Sequence, residues 1–200
     1  MTDTNDTTAD TDTTATTSDG DSPLDGRRIA VFISPRGTED PEFSTPRQAL
    51  VDAGATVTVI STESGTATTV NGDLDPGEEY DVDAAIGDVS ADDFDAVLLP
   101  GGTVGADTLR ADDAVVDFVK AIHAAGKPIA AICHAPWVLV EAGLVEGATL
   151  TSYPSLSTDI TNAGGHWVDQ EVSVNSGIIT SRNPDDIPAF VDAIITEFGK

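Results

Sequence analysis

At 200 residues and 40% hydrophobic side chains, the chain is sized for one domain with an ordinary core, and its single cysteine excludes an internal disulfide framework and a thiolate cluster for zinc. With 35 acidic against 9 basic residues, a formal charge of −26 repels phosphate backbones and anionic lipid, so neither nucleic acid nor a membrane is an expected partner. The lone cysteine and the absence of a signal segment or long apolar window point to the cytoplasm, and acids spread over the surface with few lysines point to a halophilic source, where salt screens the self-repulsion.

Residues 1–25 are mostly Thr, Asp, Ala, Ser and Gly without apolar periodicity, so they are expected to form a disordered acidic tail before a single domain over 26–200. Arg28 to Ser34 reads as the first strand, then a loop, then a helix from Glu42 or Thr45 to Ala53, closed by Gly54. Thr56 to Ile60 is the second strand. Around Asn71-Gly72 the segments from Thr66 to Val70 and from Leu74 onward predict a hairpin-like excursion, and Val82 to Ile86 predicts another short strand. Ala96 to Pro100 is the next strand, ending in Gly101-Gly102, and Ala114 to Ala125 a helix.

Pro128 to Ile132 is a short apolar strand leading into Cys133-His134-Ala135-Pro136, with helical composition from Trp137 to Ala142. Thr149 to Tyr153, a helix near Leu156 to Asn162, a strand pair at Glu171 to Val174 and Ile178 to Thr180, and a helix from Pro184 to Phe198 complete the chain. The alternation predicts an α/β three-layer sandwich: a mainly parallel, flavodoxin-like sheet with helices on both faces.

Cys133 therefore sits on a strand-to-helix turn, which lifts its side chain clear of the sheet beside a histidine, the arrangement of an activated nucleophile. The competing reading is a small buried hydrophobe with no chemistry. Reactive groups in such sheets gather beyond the carboxyl ends of the strands, and three exits here carry candidates: Glu39, Asp40 and Glu42; Gly101-Gly102; and Cys133-His134. A carboxylic acid near a thiolate can serve as general acid, a role that Glu39 and Glu42 fit equally on these grounds. Gly101-Gly102 reads either as a close backbone approach to a ligand oxygen, acting with the His134 amide, or as a plain tight turn.

Leu99-Pro100-Gly101-Gly102, Ala131 to Pro136, Thr151-Ser152-Tyr153-Pro154 and Thr180 to Asp186 together resemble the PfpI, or intracellular protease I, family of the DJ-one superfamily. The resemblance runs from Arg28 to the end and implies a class I glutamine amidotransferase-like fold. It further implies that Cys133 is the nucleophile, His134 its adjacent base and Glu42 the acid on the sulfur. Glu39 matches a second family acid, the amides of Gly102 and His134 an oxyanion site and Tyr153 a tyrosine at the pocket edge, with Glu39, Gly101 and Tyr153 expected to bind substrate. In protease I members an acid from a neighbouring subunit orients the histidine; Asp107 occupies that stretch here, one residue further from Gly102. Ala135 replaces the usual glycine after Cys-His, a change that narrows the space beside the sulfur.

The resemblance implies a homo-oligomer, at least a dimer, with no metal or organic cofactor. Its leading functional expectation is a stress-response cysteine hydrolase of glyoxalase or deglycase type, acting on small carbonyl compounds and on glycated proteins or peptides. An intracellular cysteine peptidase is the second reading. The third is a non-enzymatic redox sensor or holdase built on oxidised Cys133.

Overall fold

The computed structural model describes Met1 and residues 22–200; the predicted tail lies outside the described residues apart from its last few positions. In chain order the elements are β1 (Arg28–Phe32), β2 (Arg36–Glu39), α1 (Asp40–Asp52), β3 (Thr56–Ser61), β4 (Gly65–Asn71), β5 (Asp75–Val82), β6 (Ala84–Ala85), β7 (Ala96–Leu99), α2 (Thr103–Arg110) and α3 (Asp113–Ala124). They continue with β8 (Ile129–Ile132), α4 (Pro136–Glu141), β9 (Thr149–Leu150), α5 (Ser157–Asn162), β10 (His166–Trp167), β11 (Val172–Asn175), β12 (Ile178–Ser181) and α6 (Ile187–Phe198).

The central sheet has seven strands in the order β11-β12-β8-β7-β1-β3-β6, parallel except where β11 meets β12. Its inner strands β7, β8 and β12 and most of β1 are buried on both faces, so they read as apolar runs while successive side chains still alternate between two cores. Ile29, Val31 and Ile33 pack on one side with Phe43 and Leu50 of α1 and Phe190 and Ile194 of α6. Ala30 and Phe32 pack on the other with Val115, Phe118, Val119 and Ile122 of α3 and Val138 and Leu139 of α4. There the Phe32 and Phe118 rings meet edge to face with centroids 5.4 Å apart, a geometry favoured by the ring quadrupoles. Among the described residues, no helix is long and apolar enough to cross a membrane.

The fold begins earlier than composition suggests. Leu24, counted with the tail in the sequence reading, is fully buried and its N–H donates to the Ala53 carbonyl at 2.9 Å. The Asn71-Gly72 excursion is the β4–β5 hairpin, and β2, read as loop, joins β4 to make a separate three-stranded sheet. This small sheet is tied to the start of α1: Asp40 accepts from the Thr69 hydroxyl at 2.6 Å and from the Tyr80 hydroxyl at 3.0 Å. Burial and the Asp40 carboxylate together raise the Tyr80 pKa. The helix α2, also unread in the sequence, follows Gly102 directly.

Candidate active site

The chain path reverses between β1 and β7, and the exits of β1, β7 and β8 lie side by side, the place where open α/β sheets form their clefts. A cavity of about 210 Å³ opens there, lined by Glu39, Glu42, Gly72, Asp73, Gly102, Cys133, His134, Tyr153 and Pro184. Cys133 carries the strained backbone of the turn, with φ at 63°, a left-handed conformation that costs a non-glycine residue roughly 1–2 kcal/mol. Three backbone bonds hold it: Cys133 N–H donates to Ser181 O at 3.0 Å, Tyr153 N–H donates to Cys133 O at 2.8 Å, and Ala135 N–H closes on Ile132 O at 3.0 Å.

The helix after the turn, α4, spans six residues. Two particular amides act on the sulfur: the backbone N–H groups of Gly102 and His134 lie against it and favour the thiolate. Burial and the negative charge of Glu42 push the thiol pKa well above its ordinary value. The Glu42 contribution, however, exists only while that carboxyl is ionised.

Glu42 is fully buried at the first turn of α1. Burial, reinforced by Glu39 and Asp73, pushes its pKa up to about 8 against the opposing pull of the Cys133 thiol and the Gly101 amide. Its Oε2 accepts from Gly101 N–H at 3.0 Å, whereas Oε1 is buried without a well-aligned hydrogen-bond partner. The acid is thus held largely protonated at neutral pH next to the sulfur, and acid and thiol titrate as one coupled system. A neutral Glu42 removes the like-charge repulsion and offers its own proton to a thiolate.

His134 stands with Nδ1 3.1 Å from Cys133 Sγ. Its ring stacks on Tyr153 with centroids 4.6 Å apart and packs against Trp137 at 5.2 Å. Burial lowers its pKa, with Asp73 opposing, so the imidazole is neutral and able to accept a proton at pH 7. On the far side of the ring, Nε2 faces the hydroxyls of Thr103 at 3.3 Å and Ser155 at 3.4 Å.

Cys133, His134, Glu42, Gly102 and Tyr153 are therefore brought to one cavity. Glu39 also lines it, but its carboxylate is engaged by the hairpin tip, accepting from Gly72 N–H at 2.7 Å and Asp73 N–H at 3.0 Å. Gly101, expected to bind substrate, is not in the cavity lining: its N–H donates to Glu42 and its carbonyl accepts from Glu39 N–H at 3.2 Å. A side chain at Gly101 would come within 2.5 Å of Glu42 Oε2 and 2.7 Å of the Cys133 Cβ, which accounts for a glycine there. Asp107, on α2, is 60% exposed and paired with Arg110 at 2.8 Å rather than with His134 of its own chain. Ala135, the departure from the family pattern, is fully buried.

Five residues at or beside the site escaped sequence reading: Gly72, Asp73 and Pro184, which line the cavity, and Thr103 and Ser155, which face His134 Nε2. Asn-Gly-Asp signals a hairpin turn, but nothing local reveals that this turn folds back over the cysteine. Among the described residues, no group of three or more His, Cys, Asp or Glu is arranged to hold a metal ion.

The sequence matches the DJ-1/PfpI family over residues 27–197. It is 46% identical over 166 residues to General stress protein 18 of Bacillus subtilis, covering 82% of this chain and 94% of that protein. Protein/nucleic acid deglycase 2 of Escherichia coli is 40% identical over 166 residues, covering 82% of this chain and 93% of that one. The crystal structure of Drosophila melanogaster DJ-1beta superposes with a TM-score of 0.79 at 33% identity, over 87% of this chain and 91% of the other.

Proposed function

Because the chain belongs to the DJ-1/PfpI family, we propose that it is a stress-response cysteine hydrolase of glyoxalase or deglycase type, acting through Cys133 on methylglyoxal or glyoxal adducts. The observation that carries this reading is a single thiol flanked by a neutral buried acid and a neutral histidine in a cavity of about 210 Å³. That volume suits a two- or three-carbon carbonyl adduct and is tight for an extended peptide.

The chemistry is redox-neutral overall. His134 takes the thiol proton at Nδ1, and the sulfur attacks the carbinol carbon of an aminocarbinol, breaking its C–N bond as a proton from Glu42 frees the amine. Free methylglyoxal reaches the same hemithioacetal by addition of the thiol to its aldehyde carbon. The hydrogen on that carbon is then lost as a proton to a site base and a proton returns to the neighbouring carbonyl carbon. One carbon is oxidised as the other is reduced, and the hemithioacetal becomes a thioester. Water cleaves the thioester to lactate, or to glycolate from glyoxal, and restores the thiol. In this reading the amides of Gly102 and His134 hold the oxyanion formed in that last step.

The test compares the full chain with Cys133→Ser on methylglyoxal, on a methylglyoxal-treated amine and on a fluorogenic peptide. Lactate and free amine released by the wild type alone are expected. Peptide cleavage without carbonyl turnover would replace this reading with a peptidase. If all three substrates stay intact while peroxide adds two oxygens to the wild-type mass only, the protein is a redox sensor instead.

A further inference from the structure

We propose that Asp73 is a positioning residue that acts through Thr103, fixing His134 as its Nε2–H tautomer so that the bare Nδ1 faces the Cys133 thiol within a single chain. The inference concerns the same site and rests on the cysteine-chemistry reading above.

Asp73 Oδ1 accepts from Thr103 N–H at 2.6 Å and Oδ2 accepts from the Thr103 hydroxyl at 2.9 Å. Thr103 has one hydroxyl proton, and an ionised carboxylate can only accept, so that proton points at Asp73. What Thr103 Oγ1 turns toward His134 Nε2, 3.3 Å away, is therefore a lone pair. The ring nitrogen facing a lone pair must carry the hydrogen, and Ser155 Oγ, 3.4 Å from the same nitrogen, can accept from it as well. In a neutral imidazole the other nitrogen is then bare, and Nδ1 is the atom 3.1 Å from Sγ. When Nδ1 takes the thiol proton, the Nε2–H to Thr103 to Asp73 chain places a negative charge behind the imidazolium.

The carboxylate is built into this position. Asp73 has φ at 65°, a left-handed conformation that Asp and Asn tolerate better than most residues. The backbone there is pinned by the Glu39 carboxylate, which accepts from the amides of both Gly72 and Asp73. Glu39 thus anchors the hairpin tip, the tip presents Asp73 to the first residue of α2, and Thr103 passes the constraint to the ring. This route reaches the ring from within one chain, on which Asp107 is paired with Arg110.

The experiment uses the full chain with 15N-labelled histidine. Two-dimensional NMR of the imidazole nitrogens identifies the His134 tautomer, the ring being assigned by its loss in His134→Asn, and iodoacetamide alkylation of Cys133 at pH 7 reads the consequence. Both readouts are independent of any substrate, so failed carbonyl turnover would overturn the proposed reaction and leave this inference standing. Wild type should show Nε2–H. Asp73→Asn keeps the left-handed turn but offers an amide donor to Thr103, which turns the hydroxyl proton toward His134; the ring should shift to Nδ1–H and alkylation should fall about 10-fold or more. Thr103→Val should slow alkylation similarly, and Thr103→Ser should restore the wild-type tautomer and rate. An Nδ1–H ring in the wild type, or an unchanged tautomer in both Asp73→Asn and Thr103→Val, would overturn the proposal.

Discussion

Replacing Glu42 by glutamine should make the protein more stable as it disables the site, and the gain should grow with pH. The folded carboxyl keeps its proton up to about pH 8, against an ordinary value of 4.5. Between those values the native state binds a proton that the unfolded chain has released, so wild-type stability falls as pH rises through this window. At about 1.4 kcal/mol per pKa unit the full displacement corresponds to roughly 5 kcal/mol, most of which accrues between pH 5 and pH 8. Glutamine has no such titration, and its carbonyl can still accept from Gly101 N–H. The stability difference between variant and wild type should therefore widen by most of that amount from pH 5 to pH 8. Urea unfolding at constant ionic strength, followed through Trp137 and Trp167, measures it at each pH. Because acid and thiol titrate together, the same pair is compared in a Cys133→Ala background to isolate the carboxyl. Turnover should drop by roughly 10² or more, since an amide cannot transfer the proton. Parallel stability profiles for the wild type and Glu42→Gln would refute the claim that a buried, largely neutral acid sits beside the sulfur.

Two further outcomes follow from the backbone of the site. Cys133→Gly should be more stable than Cys133→Ala by about 1 kcal/mol, because only glycine adopts φ at 63° without strain; equal unfolding midpoints would show that the turn stores none. Gly101→Ala should cost about 2 kcal/mol, since its methyl meets Glu42 Oε2 at 2.5 Å and the Ile132 carbonyl at 2.7 Å. It should also slow alkylation of Cys133 by displacing Glu42; a silent substitution in both thermal melting and labelling would mean that the strand exit can open.

Much of the architecture was legible in the chain because its signals are local. The apolar runs of β1, β7 and β8, the Asn71-Gly72 turn and the amphipathic pattern of α3 each declare themselves within about ten residues, through periodicity and turn chemistry. Short pieces with weak patterns were not legible: β2 is Arg-Gly-Thr-Glu, a strand only because β4 pairs with it. In the same way α2 lies against Gly37 and Thr38 across a contact that only a glycine at position 105 permits.

The site divides along the same line. Cys133 and His134 stand next to each other, and a sharp turn between strand and helix is enough to suggest their partnership. Sequence by itself determined the sheet, the two-sided core and the place of Cys133 at a strand end, because those follow from residue order and hydrophobic spacing. Only the tertiary structure decided that Glu42 is buried against the sulfur, that Glu39 serves the hairpin tip, and that Asp73 reaches Thr103. These pairings join residues 30 or more positions apart, and what sets them is the packing of the small sheet against α1 and α2, which no local window of the chain encodes.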